Sequence, residues 1–271
     1  MSRCLRSLSL AVLVSLAFLP ACESVPGTGR NRLMLVPIST DLSLGAEGYQ
    51  HTLAESKIVS SGPEAEMVQR VGSKISAAAE RLYFDEASQF EWEIVLIDEP
   101  QTANAWCMPG GKMAVYTGLL PITGDEQSLA VVVGHEVCHA VARHGAERMS
   151  HELVMELGLT AASLSMSDMD SGERDQIMQA LVGVGTVGAI LPFSREHEAE
   201  ADYMGLMVAA DAGYDPQAAI GLWERMAKAS AGNAPPELLS THPSDASRIE
   251  HLKEVMPEAM GYYEQAKRAG R

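Results

Sequence analysis

The sequence predicts an α+β fold, mostly helical, with a small β-sheet. Three observations carry this expectation. Long stretches place apolar residues at helical spacing, two short runs are rich in β-formers, and no internal repeat divides the chain. The 271 residues suffice for one well-buried domain or two small ones.

Taken in order, residues 1–21 read as a lipoprotein signal peptide. Arg3 and Arg6 form a charged start, and Leu8 to Leu19 is an apolar run. That run is shorter than the roughly 20 residues of a transmembrane helix. Leu19-Pro20-Ala21-Cys22 resembles the lipobox of bacterial lipoproteins. Cleavage before Cys22 would free its amine, and its thiol would take a diacylglycerol. The alternative is an ordinary secretory signal that leaves Cys22 a plain thiol. Glu23, not Asp, follows Cys22, and by the sorting rule of enteric bacteria this implies the outer membrane.

Residues 22–40 are rich in Pro, Gly and Ser and read as a tether. A single domain is expected over 41–260, with a tail over 261–271. From Ser61-Gly62-Pro63 a helix should run to about Leu82, with Met67, Val71, Ile75 and Ala78 on one face. Phe90 to Ile97 and Met113 to Thr117 read as strands, the second preceded by a turn at Pro109-Gly110-Gly111. Thr123-Gly124-Asp125-Glu126 has capping-box spacing and should open a helix through about Met149. Further helices are expected over 151–166, 176–191 and Ser194 to Ala210. Another should be capped by Asp215-Pro216, and the last should run from Ser244 to Met256.

Composition excludes some functions. The net charge is −16, and all 36 acids lie after residue 22. Such a chain repels nucleic-acid phosphates, and no basic stripe offsets this. The same acidity opposes a polybasic route to anionic lipid. In an oxidising compartment Cys107 and Cys138 could either bridge or remain two thiols.

Residues 135–139 read His-Glu-Val-Cys-His. On a helix His135 and His139 share a face one turn apart, so both imidazoles can reach one metal ion. Glu136 lies about 80° from the middle of that pair at 100° per residue. Its carboxylate then stands beside a metal-activated water and not on the metal. A catalytic zinc has three protein ligands and an open place for water. The third ligand is expected in Ser194-Arg195-Glu196-His197-Glu198-Ala199-Glu200-Ala201-Asp202. Glu198 can ligate, and Asp202, four residues on, can accept the other N–H of a ligand histidine and fix its ring. Glu196 and Glu200 point roughly opposite. His144 should project away from the metal. His51, His151, His197 and His251 read as surface residues, and Cys138 as a small packing residue.

Glu-x-x-x-Asp downstream of the two-histidine motif marks the gluzincins, a zincin-like group. The wider Ser-Arg-x-x-Glu-x-x-Ala-Asp pattern resembles metallopeptidase family 48. Supporting segments are Thr28-Gly29-Arg30 with Leu33-Met34-Leu35, Asn104-Ala105-Trp106 with Pro109-Gly110-Gly111, and Thr241-His242-Pro243 with Arg248-Ile249. The resemblance is nearest to the LoiP-like group of periplasmic lipoproteins. It implies a zinc endopeptidase of the bacterial envelope, facing the periplasm and acting on misfolded or damaged proteins, with one Zn2+ per chain. The different expectation is an assembly factor or chaperone whose zinc site is latent or structural. The family pattern brings His242 and Arg248 to the site. His242 is expected as a catalytic residue that stabilises the oxyanion together with Arg248; the alternative is a fourth ligand that displaces water. The resemblance also implies a substrate-binding strand. Asn104, Ala105, Met113, Ala114 and Val115 would serve it, with the 113–117 strand offering an unpaired edge to an extended peptide.

Overall fold

The structure is a computed structural model and describes residues 22–165, 172, 194–230, 237–242 and 246–271. The expected signal and the helix expected over 176–191 lie outside the described residues. The described part of 1–37 and 145–191 forms one compact unit, and that of 38–144 and 192–271 another.

In the first unit, the segment read as a tether holds a hairpin. Strand β1 (Cys22–Ser24) pairs antiparallel with β2 (Asn31–Leu33), Cys22 opposite Leu33. Gly27 and Gly29 supply the positive φ values of its turn. Met34 and Val36 then bury against Ala146, with Met149 packed beside them. Arg30 grips Glu147 through two bonds of 2.7 Å, and the Leu35 N–H donates to Ser150 Oγ at 2.9 Å.

In the second unit, α1 (Ile38–Glu55) precedes the short β3 (Ile58–Val59) and α2 (Pro63–Leu82). Val71, Ile75 and Ala78 of α2 are buried as expected, with Val68 in place of Met67. A Cβ on Gly72 would lie 2.5 Å from an Ile94 methyl, so α2 lies close on β4 (Glu93–Ile97). A one-turn helix, α3 (Phe84–Ala87), precedes the run read as strand from Phe90, of which only Glu93–Ile97 is strand. The sheet runs β3-β4-β6-β5, with β5 at Ala105–Met108 and β6 at Lys112–Tyr116. Only β4 and β6 run parallel. Gly110 and Gly111 turn β5 into β6 with φ of 87° and 81°, a conformation L side chains resist.

After the short α4 (Leu120–Thr123), the motif helix α5 (Glu126–Val141) follows. Its cap is Asp125, whose side chain accepts from the Ser128 N–H at 2.7 Å, and not Thr123, whose hydroxyl donates back to Leu120 O. The expected helix to Met149 is two helices. Arg143, at φ 51°, breaks it, and α6 (His144–Ser165) starts afresh. The buried ion pair of Arg143 with Asp41, at 3.0 Å, holds this turn. Helix α7 (Arg195–Asp211) falls close to the expected Ser194 to Ala210, with Ser194 as its cap, accepting from the His197 N–H at 3.2 Å. Asp215 Oδ1 instead accepts from the Gln217 N–H in a turn, and α8 (Ala218–Ser230) begins at Ala218. The short α9 (Glu237–Thr241) leads to α10 (Ala246–Arg268), which outruns the expected stop at Met256. Pro257 removes one helical bond, but Leu252, Ala259 and Ala266 continue the buried face past it. Among the described residues no helix is long and apolar enough to cross a membrane.

Candidate metal centre

Two glycines set the site. A Cβ on Gly134 of α5 would lie 2.8 Å from Gly205 O of α7, and one on Gly205 would lie 2.7 Å from His135 N. The helices therefore cross backbone against backbone, bringing the acids of α7 onto the histidines of α5. Residues 128–141 of α5 are buried throughout.

His135, His139, Glu198 and His242 place one ligand atom each within 4.8 Å of the others. His135 Nε2 is 3.1 Å from His139 Nε2 and 3.5 Å from Glu198 Oε2, and His139 Nε2 is 3.5 Å from Glu198 Oε1. A tetrahedral zinc with bonds of about 2.0–2.2 Å spaces its ligand atoms by roughly 3.3–3.6 Å. Imidazole nitrogens and a carboxylate oxygen at this spacing fit that ion. Zinc is the family's metal, and the cluster has room for one ion.

His242 enters from the turn after α9. Its Nδ1 lies 2.9 Å from Glu198 Oε1 and 3.2 Å from His135 Nε2, and its Nε2 lies 3.5 Å from Glu136 Oε1. The Glu136 carboxylate is buried, and its Oε1 makes no hydrogen bond within the protein. Burial pushes its pKa up.

Asp202 Oδ1 sits 3.0 Å from His135 Nδ1. Burial opposes charge on His135, but Asp202 and Glu198 outweigh it and hold its pKa up at about 9. Burial, with the neighbouring histidines adding to it, drives His139 well below the usual range. The Glu198 carboxyl is lowered against its own burial by hydrogen bonds with His135 and His242. Arg248 donates to both oxygens of Asp202 at 2.7 Å, pairs with Glu198 Oε2 at 2.8 Å, and lies 3.8 Å over the Trp223 ring. Its guanidinium is thus taken up by two carboxylates and an aromatic face.

Two histidines read as remote are in the site's wall. His144 Nδ1 lies 2.9 Å from His139 Nδ1, and its Nε2 3.3 Å from Glu200 Oε2. Buried His197 stacks on His144 at 4.4 Å. Extrapolating 100° steps past Ala142 fails because Arg143 resets the chain direction. The left-handed turn itself left no glycine to mark it. His51 and His151 are exposed as read, and His251 is half-buried. Cys138 is fully buried, and Cys107 and Cys138 are two free thiols.

The strand expectation needs correction. Met113, Ala114 and Val115 are buried on β6, which pairs with β4 on one side and β5 on the other, so they have no open edge. The outer position belongs to β5, with Ala105 opposite Val115 and Asn104 just before it. The run Ala105-Trp106-Cys107-Met108 carries little strand signal in the sequence, being only four residues long and without alternation. At its start Ala103 O accepts from the Leu238 N–H at 3.2 Å, on the helix that leads to His242.

The model of peptidase family M48 matches residues 64–256. The chain is 37% identical over 244 residues to mitochondrial metalloendopeptidase OMA1 of Schizosaccharomyces pombe, covering 88% of this chain and 67% of that protein. It is 41% identical over 186 residues to mitochondrial metalloendopeptidase OMA1 of Arabidopsis thaliana, covering 66% of this chain but 35% of the relative. To the β-barrel assembly-enhancing protease of Escherichia coli it is 25% identical over 244 residues, covering 87% of this chain and 48% of the relative. With more than half the chain matched and the His135, His139 and Glu198 cluster in place, the chain belongs to peptidase family M48 and is a zinc metalloendopeptidase.

Proposed function

We propose that this protein is an endopeptidase of the bacterial envelope, anchored by a lipidated Cys22 and clearing misfolded or damaged proteins. The observation that carries the peptidase reading is the buried Glu136 carboxylate, with one oxygen making no hydrogen bond within the protein, beside four convergent ligand atoms. A purely structural zinc has four closed ligands and no use for such a carboxylate. His135, His139 and Glu198 would hold the zinc, with Asp202 and Arg248 positioning His135 and Glu198. When bound, zinc supplies Lewis acidity, polarising the scissile carbonyl and lowering the pKa of a water to about 7.

Glu136 takes a proton from the attacking water as its oxygen bonds to the carbonyl carbon. It returns that proton to the amine nitrogen as the C–N bond breaks. The raised proton affinity of its buried carboxyl suits both halves of this task. An extended substrate would add to the outer edge of β5 at Ala105–Met108, in place of the strand edge expected from sequence. The likeness to periplasmic lipoproteins rests on Leu19-Pro20-Ala21-Cys22, and the outer membrane on Glu23.

A second reading, a latent enzyme serving as an assembly factor, is favoured by His242 Nδ1 standing among the ligand atoms. Casein hydrolysis decides between them. The peptidase reading expects casein cleavage that is abolished by a chelator, restored by zinc, and reduced at least 10²-fold in Glu136→Gln with zinc content unchanged. Wild-type activity in that variant, or none in the zinc-loaded protein, would overturn it.

A further inference from the structure

We infer that Glu200 and His144 form a relay that fixes the tautomer of His139, making His144 a positioning residue for the metal. This rests on the reading that His135, His139 and Glu198 hold zinc. All three members are buried, His144 completely. A carboxylate only accepts, so His144 Nε2, 3.3 Å from Glu200 Oε2, carries the hydrogen. A neutral imidazole has one N–H, which leaves His144 Nδ1 an acceptor. The 2.9 Å contact between the two Nδ1 atoms then takes its hydrogen from His139. His139 Nε2 keeps its lone pair, and that atom faces His135 and Glu198.

His135 reaches the same state directly, through Asp202 at 3.0 Å. Helix α7 thus supplies a ligand, Glu198, and one orienting carboxylate for each ligand histidine. Asp202 acts by contact and Glu200 through His144. The stack of His197 on His144, 20° from parallel, holds the relay ring in plane. The left-handed Arg143, tied to Asp41, returns the chain so that His144 meets His139.

Zinc affinity measured by chelator competition tests this on the full chain. In His144→Asn, the amide oxygen falls where Nδ1 stood and can still accept from His139. In His144→Phe, ring shape is kept and the acceptor is lost. The relay expects zinc affinity about 10–100-fold weaker in the Phe variant, with the Asn variant clearly closer to wild type. A merely structural role expects the reverse order, and Phe equal to or better than Asn overturns the relay. Should His144→Phe fail to fold, ¹⁵N spectra of the zinc-loaded wild type give the answer. They should show His144 protonated at Nε2 and bare at Nδ1, and a hydrogen on Nδ1 overturns the relay. Full zinc affinity in His139→Ala would instead overturn the ligand set, and the relay with it.

Discussion

The two roles proposed for His242 predict opposite behaviour of the free enzyme. The His242 Nδ1 lies at hydrogen-bond distance, 2.9 Å, from Glu198 Oε1 and within 4.8 Å of the ligand atoms of His135 and His139, while its Nε2 faces Glu136. That orientation favours the fourth-ligand role over oxyanion stabilisation. Arg248, the companion the second role requires, is already held by Asp202 and Glu198. His242→Ala should therefore raise turnover of an unfolded protein several-fold while zinc content stays at one per chain. A loss of about 10²–10³ would assign the stabilising role instead. At this scale the sequence is readable wherever one helix carries the geometry. His135, Glu136 and His139 follow from 100° steps on α5, and Glu198 with Asp202 from a four-residue step on α7. His144 does not, because one non-glycine residue at φ 51° intervenes.

Helix crossing makes the site, and the crossing is testable. Gly205→Ala would set a Cβ 2.7 Å from the His135 backbone nitrogen, where only a shift of a whole helix can relieve it. Overpacking of this kind costs about 1–3 kcal/mol. The variant should lose thermal stability and bind zinc more weakly, because α7 carries Glu198; an unchanged Tm and zinc affinity would mean the helices are not in close contact. The start of α5 offers a pH test. Glu126 is lowered by its hydrogen bond with Arg70, against a smaller opposing effect of burial. A depressed carboxyl stabilises the fold above its ordinary value of 4.5 and loses that contribution as pH falls through its folded value. Arg70→Ala should thus lower Tm slightly at pH 7, with the difference shrinking below pH 4.5. Both side chains are partly exposed, so added salt should shrink it too. A difference that persists undiminished in acid would trace to packing. Long helices were legible from periodicity, but their joints were not. Pro257 masks the continuation of α10, and β5 is too short to announce the sheet edge.

At the scale of the molecule, the proposed attachment to a membrane rests on one residue, Cys22. No described helix is long and apolar enough to cross a bilayer, and a net charge of −16 opposes adsorption to anionic lipid. The proposed anchor is Cys22, which begins β1 opposite Leu33. Only ten residues separate it from Leu33, so a lipid there would hold the first unit near the bilayer surface. A single acyl chain binds reversibly, whereas a diacylglycerol thioether with an acylated amine holds firmly. In a bacterial host the wild-type chain should fractionate with membranes and resist extraction by high salt, which strips electrostatic attachments. Cys22→Ala should either remain unprocessed or appear in the soluble fraction, while retaining zinc and casein hydrolysis once purified, since the metal cluster lies wholly within the second unit. A Cys22→Ala chain that is correctly processed and still sediments with membranes would remove the lipid anchor and leave the peptidase assignment standing.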